Sequence, residues 1–340
     1  MPRSLVTGGA GFIGSHVADH LLLKGHEVVV LDDFSGGFRD NVPPRATLVT
    51  GSIVDHLLVD QLFARHGFDY VYHLAAYAAE GLSHFIKRFN YTNNLVGSVN
   101  LINAAVHHDV KCFVFTSSIA VYGAGQSPMS EDLIPLPEDS YGIAKLSVEQ
   151  ELRVSHEMFG LDHVIFRPHN VYGERQNIGD RYRNVIGIFM NQLLRGEPMT
   201  IFGDGTQRRA FTYISDVAPV IAAAVDSPAA RNQIFNLGAD VPYTVNHLAE
   251  VTAAAMGKDC RTVHLEAHKE VKEAYSDHRK SEAVFGPQFG KTEKTSLEAG
   301  VGAMARWVKN HGARESSVFE AIELTKNLPP SWARAVGHCV

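Results

Sequence analysis

The sequence predicts an α/β chain built on a doubly wound parallel sheet, with a smaller C-terminal α/β unit. Three observations predict it. Apolar runs rich in β-branched residues recur at 4–7, 27–31, 47–50, 70–74, 112–116 and 163–167, as a sheet covered on both faces requires. Helix-length amphipathic stretches separate them, the rhythm of parallel strands joined by crossovers. A glycine-rich turn, TGGAGFIGSH at 7–16, follows the first run and opens a helix.

Composition narrows the classes of function. With 340 residues and 45% hydrophobic content, the chain is long enough for a large core. Its net charge of -6 is spread over 31 basic and 37 acidic residues, so no basic stripe marks a nucleic-acid partner. Cys112, Cys260 and Cys339 have no CxxC or Cys/His ligand spacing, which fits a reducing compartment and predicts no metal centre. No 18-residue apolar run occurs, so a soluble, cytoplasmic protein without a membrane partner is expected.

The elements follow in order. Gly9, Gly11 and Gly14 satisfy GxGxxG, while Gly8, Gly11 and Gly14 satisfy GxxGxxG. Either pattern lets the backbone turn tightly and brings a pyrophosphate to a helix N-terminus, whose free N–H groups and dipole favour anions. That helix runs over 14–24 and is closed by Gly25. The second strand ends at Asp32, eighteen residues beyond Gly14, where an acid accepts hydrogen bonds from the adenosine ribose. Asp32 and Asp33 have no arginine beside them and would repel a 2′-phosphate, so the pattern predicts NAD rather than NADP. A helix over 55–65 is closed by Gly67.

Two longer helical patterns, 82–108 and 141–158, carry apolar positions on more than one face. They are expected to pack on the sheet and on a second subunit, giving a homodimer. Tyr141 and Lys145 stand four residues apart, one turn apart on one helix face. A phenol of pKa about 10 is a poor base near neutrality, and a neighbouring ammonium favours its charged form. Ser118 emerges from a strand end in FVFTSSIAVYG, at 113–123. Beyond Pro168 the texture changes to polar and glycine-rich loops, then to short strands and helices. The expected division is therefore a Rossmann-type dinucleotide unit at 1–168, with segments near 209–238 returning to it, a substrate unit at 169–330, and a tail at 331–340.

Taken together, these motifs resemble the extended short-chain dehydrogenase/reductase family, and within it the NAD-dependent nucleotide-sugar epimerases and dehydratases. The resemblance spans about residues 3–325. It rests on the glycine turn at 7–14, Asp32-Asp33, His73-Leu74-Ala75-Ala76, Asn94, the segment 116–123, Tyr141 with Lys145, the segment RPHNVYG at 167–173, and GDGTQRR at 203–209. It implies that Tyr141 is the acid/base, Lys145 its electrostatic partner, and Ser118 a second hydroxyl on the reacting oxygen. It implies a cofactor site made of Gly8, Gly11, Phe12, Ile13, Gly14, Asp32, Asp33, Ser52, Ile53, Leu74, Ala75, Ala76, Asn94, Tyr141, Lys145 and Pro168. For a nucleotide-sugar substrate it implies Glu80, Ser118, Asn170, Arg209 and His268. The chain departs from the family pattern at three of its positions. Ser52 stands where an aspartate usually bonds adenine, Ala210 where Arg-Asp-Phe is commoner, and His268 where many relatives carry a phosphate-binding arginine.

The resemblance also bears on the reaction. Dehydrating relatives carry carboxyls after the first hydroxyl, and decarboxylating ones a glutamate, whereas this chain reads Ser118-Ile119-Ala120. Neither Ile119 nor Ala120 can transfer a proton. What remains is oxidation of a sugar carbinol to a keto intermediate and its re-reduction, and the resemblance implies epimerisation of a UDP-hexose at C4 through a 4-keto sugar. A reductase or dehydratase of the same family is the alternative, net NADH consumption being the mark of the reductase. A regulatory NAD-binding protein is disfavoured by the presence of Ser118, Tyr141 and Lys145 together.

Overall fold

Each apolar run becomes a strand of one sheet. The computed structural model describes residues 1–266, 273–289, 294–315, 319, 321–330 and 332. The strands are β1 (Arg3–Thr7), β2 (Glu27–Asp32), β3 (Thr47–Thr50), β4 (Tyr70–His73), β5 (Cys112–Thr116) and β6 (His163–Pro168). Short strands β7 (Val171–Tyr172), β8 (Met199–Phe202), β9 (Arg208–Ala210) and β10 (Thr212–Tyr213) precede β11 (Gln233–Leu237), which returns to pair with β6. The sheet order is β11-β6-β5-β4-β1-β2-β3, parallel throughout. The order reverses between β1 and β4, so their carboxyl ends open a crevice at a topological switch point. In chain order the helices are α1 (Phe12–Leu23), α2 (His56–His66), α3 (Glu80–Ser83), α4 (Lys87–Tyr91), α5 (Gly97–His107), α6 (Ser140–Phe159), α7 (Val185–Leu194), α8 (Ala218–Ala222), α9 (Val245–Met256), α10 (Arg279–Phe289) and α11 (Leu297–His311).

Period-two alternation inside continuous apolar runs covers the sheet on both sides. Val28 and Val30 join Val17 and Leu21 of α1 and Ile221 of α8 in one core. Val29 and Leu31 face the other way, onto Val59 and Leu62 of α2, Leu101 of α5, and Val148 and Leu152 of α6. A separate core binds α7, α9 and α11 through Phe189, Met190, Leu248, Val301 and Met304. Around it lie the short strands, β9 pairing with β12 (Pro242–Thr244) and β14 (Glu273–Ala274), and β8 with β13 (Thr262–Leu265).

The 82–108 pattern does not give one helix. It breaks into α3, α4, a π-helical turn at Thr92–Val96, and α5. Asn94 lies in that wider turn, buried, with its amide bonded to the backbone of Tyr77; such local widening often accompanies functional sites. The 141–158 pattern gives one helix, α6. Its N-cap Asp139 accepts from Gly142 N at 2.8 Å and Gly160 closes it at φ 77°. Of the tail, Trp332 packs edge-on against Tyr182 and Phe85.

Candidate active site

Along the carboxyl ends of the strands runs a cavity of about 1140 Å³, from the glycine turn past Tyr141 to β9 and α7. At its first end Gly8 has φ 70° and Gly11 N donates to Gly8 O at 3.0 Å. A Cβ on Gly8 would lie 2.8 Å from the Ala75 backbone, and one on Gly14 only 2.1 Å from Gly8 O. The turn therefore has no space for side chains, which leaves room for a ligand above it. Gly11 caps α1 without a side-chain bond, so the helix N-terminus is available to an anion.

Asp32 ends β2 with one oxygen accepting from Ala10 N at 2.9 Å and the other from Phe34 N at 2.8 Å. Burial pushes its carboxyl up, and these backbone bonds pull it down. Asp33 is exposed at the rim and accepts from Ser35 N. Arg39, later in the same loop, stacks on Phe34 and does not line the cavity. These features fit NAD: a side-chain-free turn for its pyrophosphate and a strand-end acid for its ribose.

Phe12, Ile13, Ser52, Ile53, Leu74, Ala75, Ala76 and Pro168 also line the cavity. The Ser52 hydroxyl accepts from Val54 N at 3.3 Å. Asn94 is not a lining residue: it accepts from Tyr77 N at 2.8 Å and donates to Asn90, which donates to Ser140 O at 2.7 Å. It braces the loop after β4 against the start of α6.

Tyr141, Ser118 and Lys145 converge on the middle of the cavity. Ser118 caps the 3-10 turn Ile119–Tyr122 through Ala120 N at 3.1 Å and hydrogen-bonds the Tyr141 hydroxyl. Gly142 lets α6 pass that turn closely, since a Cβ there would sit 2.6 Å from Ala120 O. Burial holds the Tyr141 phenol above its ordinary value, the Glu80 carboxylate adds to this, and the Ser118 bond opposes it. Lys145 is buried, donates to Thr116 O at 2.8 Å, and lies 5.7 Å from the Tyr141 ring centre. Burial pulls its ammonium down to about 7, against the pull of Glu149.

Toward the far end, Glu80, Asn170 and Arg209 line the cavity. Asn170 adopts φ 39° and donates to Ala210 O at 3.0 Å, while neighbouring Arg208 is exposed and pairs with Glu273. His268 lies outside the described residues. No group of side chains suited to a metal ion occurs among the described residues, nor is any described helix long and apolar enough to cross a membrane.

Sequence reasoning missed three features. Gln176 is 1% exposed, lines the cavity, and neither of its amide atoms has a hydrogen-bond partner. Glu149 forms a buried ion pair with Arg167 and accepts from Ser117 Oγ; an acid one turn beyond Lys145 on the same face was its available signal. His169 lines the cavity from the end of β6; it lies inside the segment 167–173 that carries the resemblance, which assigned it no role.

A family model described as the NAD dependent epimerase/dehydratase family matches residues 4–238. The chain belongs to that family. NAD is accordingly its cofactor. A putative UDP-glucose 4-epimerase of Methanocaldococcus jannaschii is 32% identical over 310 residues, 90% of this chain and 98% of that one. A UDP-N-acetyl-alpha-D-glucosaminuronate decarboxylase of Bacillus cytotoxicus is 32% identical over 78% of this chain and 84% of its own. Among solved structures, UDP-glucose 4-epimerase of Thermotoga maritima with UDP-glucose superimposes with a TM-score of 0.85 at 34% identity, covering 91% of this chain and 99% of that one.

Proposed function

We propose that this family member interconverts nucleotide sugars by inverting one carbinol, most simply C4 of a UDP-hexose, through a transient 4-keto sugar. The observation that carries this reading is the composition of the cavity wall at the end of β5. There Ser118 meets Tyr141 and Lys145, while Ile119 and Ala120 bring no proton-transfer group. Gly8, Gly11, Gly14 and Asp32 hold the cofactor, with Leu74, Ala75 and Pro168 beside it. Bound there, NAD supplies a hydride acceptor that becomes a hydride donor. The Tyr141 phenolate takes the proton of the sugar hydroxyl, the Ser118 hydroxyl hydrogen-bonds the reacting oxygen, and the Lys145 ammonium favours the phenolate. Once the keto sugar has turned over in the cavity, the opposite face of its carbonyl carbon would meet the hydride donor, and Tyr141 returns the proton to the carbonyl oxygen. Asn170 and Arg209 bind the nucleotide diphosphate, and Glu80 contacts the sugar. The dinucleotide unit is assigned to 1–168 with β11 returning, and the substrate unit mainly to 169–330.

Substrate deuterated at C4 is expected to give the epimer with deuterium retained at C4, without loss of water or carbon dioxide. Mass spectrometry and NMR of the products check this. Washout into solvent, or a product lighter by water, would assign elimination instead. That is the second reading, and Glu80 favours it, because its carboxylate lines the same cavity and its charge acts on the Tyr141 phenol.

A homodimer belongs to the same reading. Ile143, Val154, Met158 and Phe159 are exposed along α6, with Val96 exposed beside α5. The first three lie at spacings that share one helix face, an apolar stripe that a second copy would cover. Sedimentation at micromolar concentration is expected to give a dimer in the wild type and a monomer in Met158→Glu; a monomeric wild type would reject it.

A further inference from the structure

Behind the wall at 168–170 lies a hydrogen-bonded chain that the proposed reaction does not use. His169 Nε2 is 3.2 Å from Ala239 O, and His169 Nδ1 is 3.0 Å from Ser276 Oγ. Ser276 Oγ is 3.0 Å from His278 Nε2, and His278 Nδ1 is 2.5 Å from Asp240 Oδ1. His169, Ser276 and His278 are at most 2% exposed, whereas the Asp240 side chain is 57% exposed. The chain thus runs from the cavity to solvent. It carries the residue types of a hydrolytic triad, but Ser276 is buried, outside the cavity lining, and bonded on both sides. It is not a nucleophile.

Both ends of the chain, the Ala239 carbonyl and the Asp240 carboxylate, only accept. The four contacts between them need four protons, while two neutral imidazoles and one hydroxyl supply three. With both rings neutral and Asp240 ionised, one nitrogen must face an acceptor with no proton between them. A fourth proton removes the conflict: His169 donates to Ala239 O and accepts from Ser276, and Ser276 accepts from a His278 that also meets Asp240. The carboxylate that favours the extra proton meets His278, at 2.5 Å, whereas His169 meets only a carbonyl and a hydroxyl, and burial, then the charge of His278, pulls the His169 imidazole down. The hydrogen bond from His278 holds the Asp240 carboxyl below its ordinary range.

We propose that Asp240 and His278 are positioning residues that share one proton at neutral pH, and that this proton fixes His169 and the cavity wall it carries. The wall is tied together at that point. His169 O accepts from Thr212 Oγ1 at 3.1 Å, Thr212 N donates to Asn170 O at 3.1 Å, and Asn170 reaches Ala210 beside Arg209. Loss of the proton sets acceptor against acceptor, and the 3.2 Å contact between His169 and Ala239 is the longest of the four. Among the described residues, the neighbouring Lys294 donates to Gly238 O and pairs with Glu282, and Asp277 pairs with Arg279.

Asp240→Asn tests the proposal, because its amide can donate to a neutral His278 and satisfy all four contacts without the extra proton. Two-bond 1H–15N spectra of the full-length protein at pH 7 should show His278 protonated on both nitrogens, or strongly hydrogen-bonded to a protonated Asp240, in the wild type. In Asp240→Asn they should show His278 protonated on Nε2 alone. The kinetic readout rests on the nucleotide-sugar reading. With rising pH the wild-type KM should increase about threefold to tenfold relative to that of Asp240→Asn, the worth of one hydrogen bond, with the kcat profiles of the two superimposable. A His278 protonated on Nδ1 alone in the wild type, or identical KM profiles, would overturn the proposal. The spectra need no substrate, so they decide it even where the nucleotide-sugar reading fails.

Discussion

Tyr141→Phe is expected to lower kcat by about 10²- to 10⁴-fold, the usual contribution of a positioned proton transfer, with KM for the nucleotide sugar little changed. The ring keeps its place because its packing does not depend on the hydroxyl: Tyr141 is 5% exposed at the start of α6, where its backbone N–H donates to Ser83 Oγ. Steady-state kinetics with NAD bound check this, and near-normal turnover would move the acid/base role to another group. Lys145→Met is expected to be similarly damaging to kcat yet to raise the melting temperature of the cofactor-free protein. The folded chain gives up the Lys145 proton near pH 7 and the unfolded chain near 10.5. Between those values the unfolded state holds more protons, so this group's contribution to stability rises with pH, and its full cost is present below pH 7. Methionine removes that cost. Loss of activity together with a gain in stability is what a lysine kept for its charge predicts.

The parts legible in the sequence were those whose cause is local. A strand buried on both faces is mostly apolar, so β1, β2, β5 and β6 read as apolar runs whose polar residues lie near their ends. The turn at 8–14 excludes side chains by contacts between near neighbours, as Gly8 O against Gly14 shows. Asp32 was legible because a strand end fixes its place. Long-range pairing was not. Asn94 carries the polar amide that the resemblance places beside the cofactor, and its partner within the chain is the Tyr77 backbone, seventeen residues earlier. The break in 82–108 serves that bond, and no periodicity encodes it. The chain from Asp240 to His169 joins residues up to 107 apart in sequence, each of which alone reads as an ordinary polar side chain.

Arg167→Met is expected to cost about 3–5 kcal/mol of folding stability, the range for removing one partner of a buried ion pair. Glu149 and Arg167 are each 2% exposed and meet in a two-point contact, with Ser117 Oγ on the same carboxylate and the guanidinium 4.6 Å from the Tyr122 ring centre. Without the arginine, the carboxylate stays buried with a hydroxyl and the Lys145 ammonium one turn away. The double variant Glu149→Met/Arg167→Met should recover most of the loss, since apolar groups of similar volume replace buried pairs at little net cost. Denaturant melts of the single and double variants check this, and a double variant as unstable as the single one would reject the ion pair as the cause. Recovery of the fold should not restore the reaction in full. The Glu149 charge is what opposes the desolvation of Lys145, so the double variant is expected to hold a more easily deprotonated lysine. Its kcat at neutral pH should then fall below that of the wild type, and the acidic shift of Lys145 should be visible in its pH–rate profile.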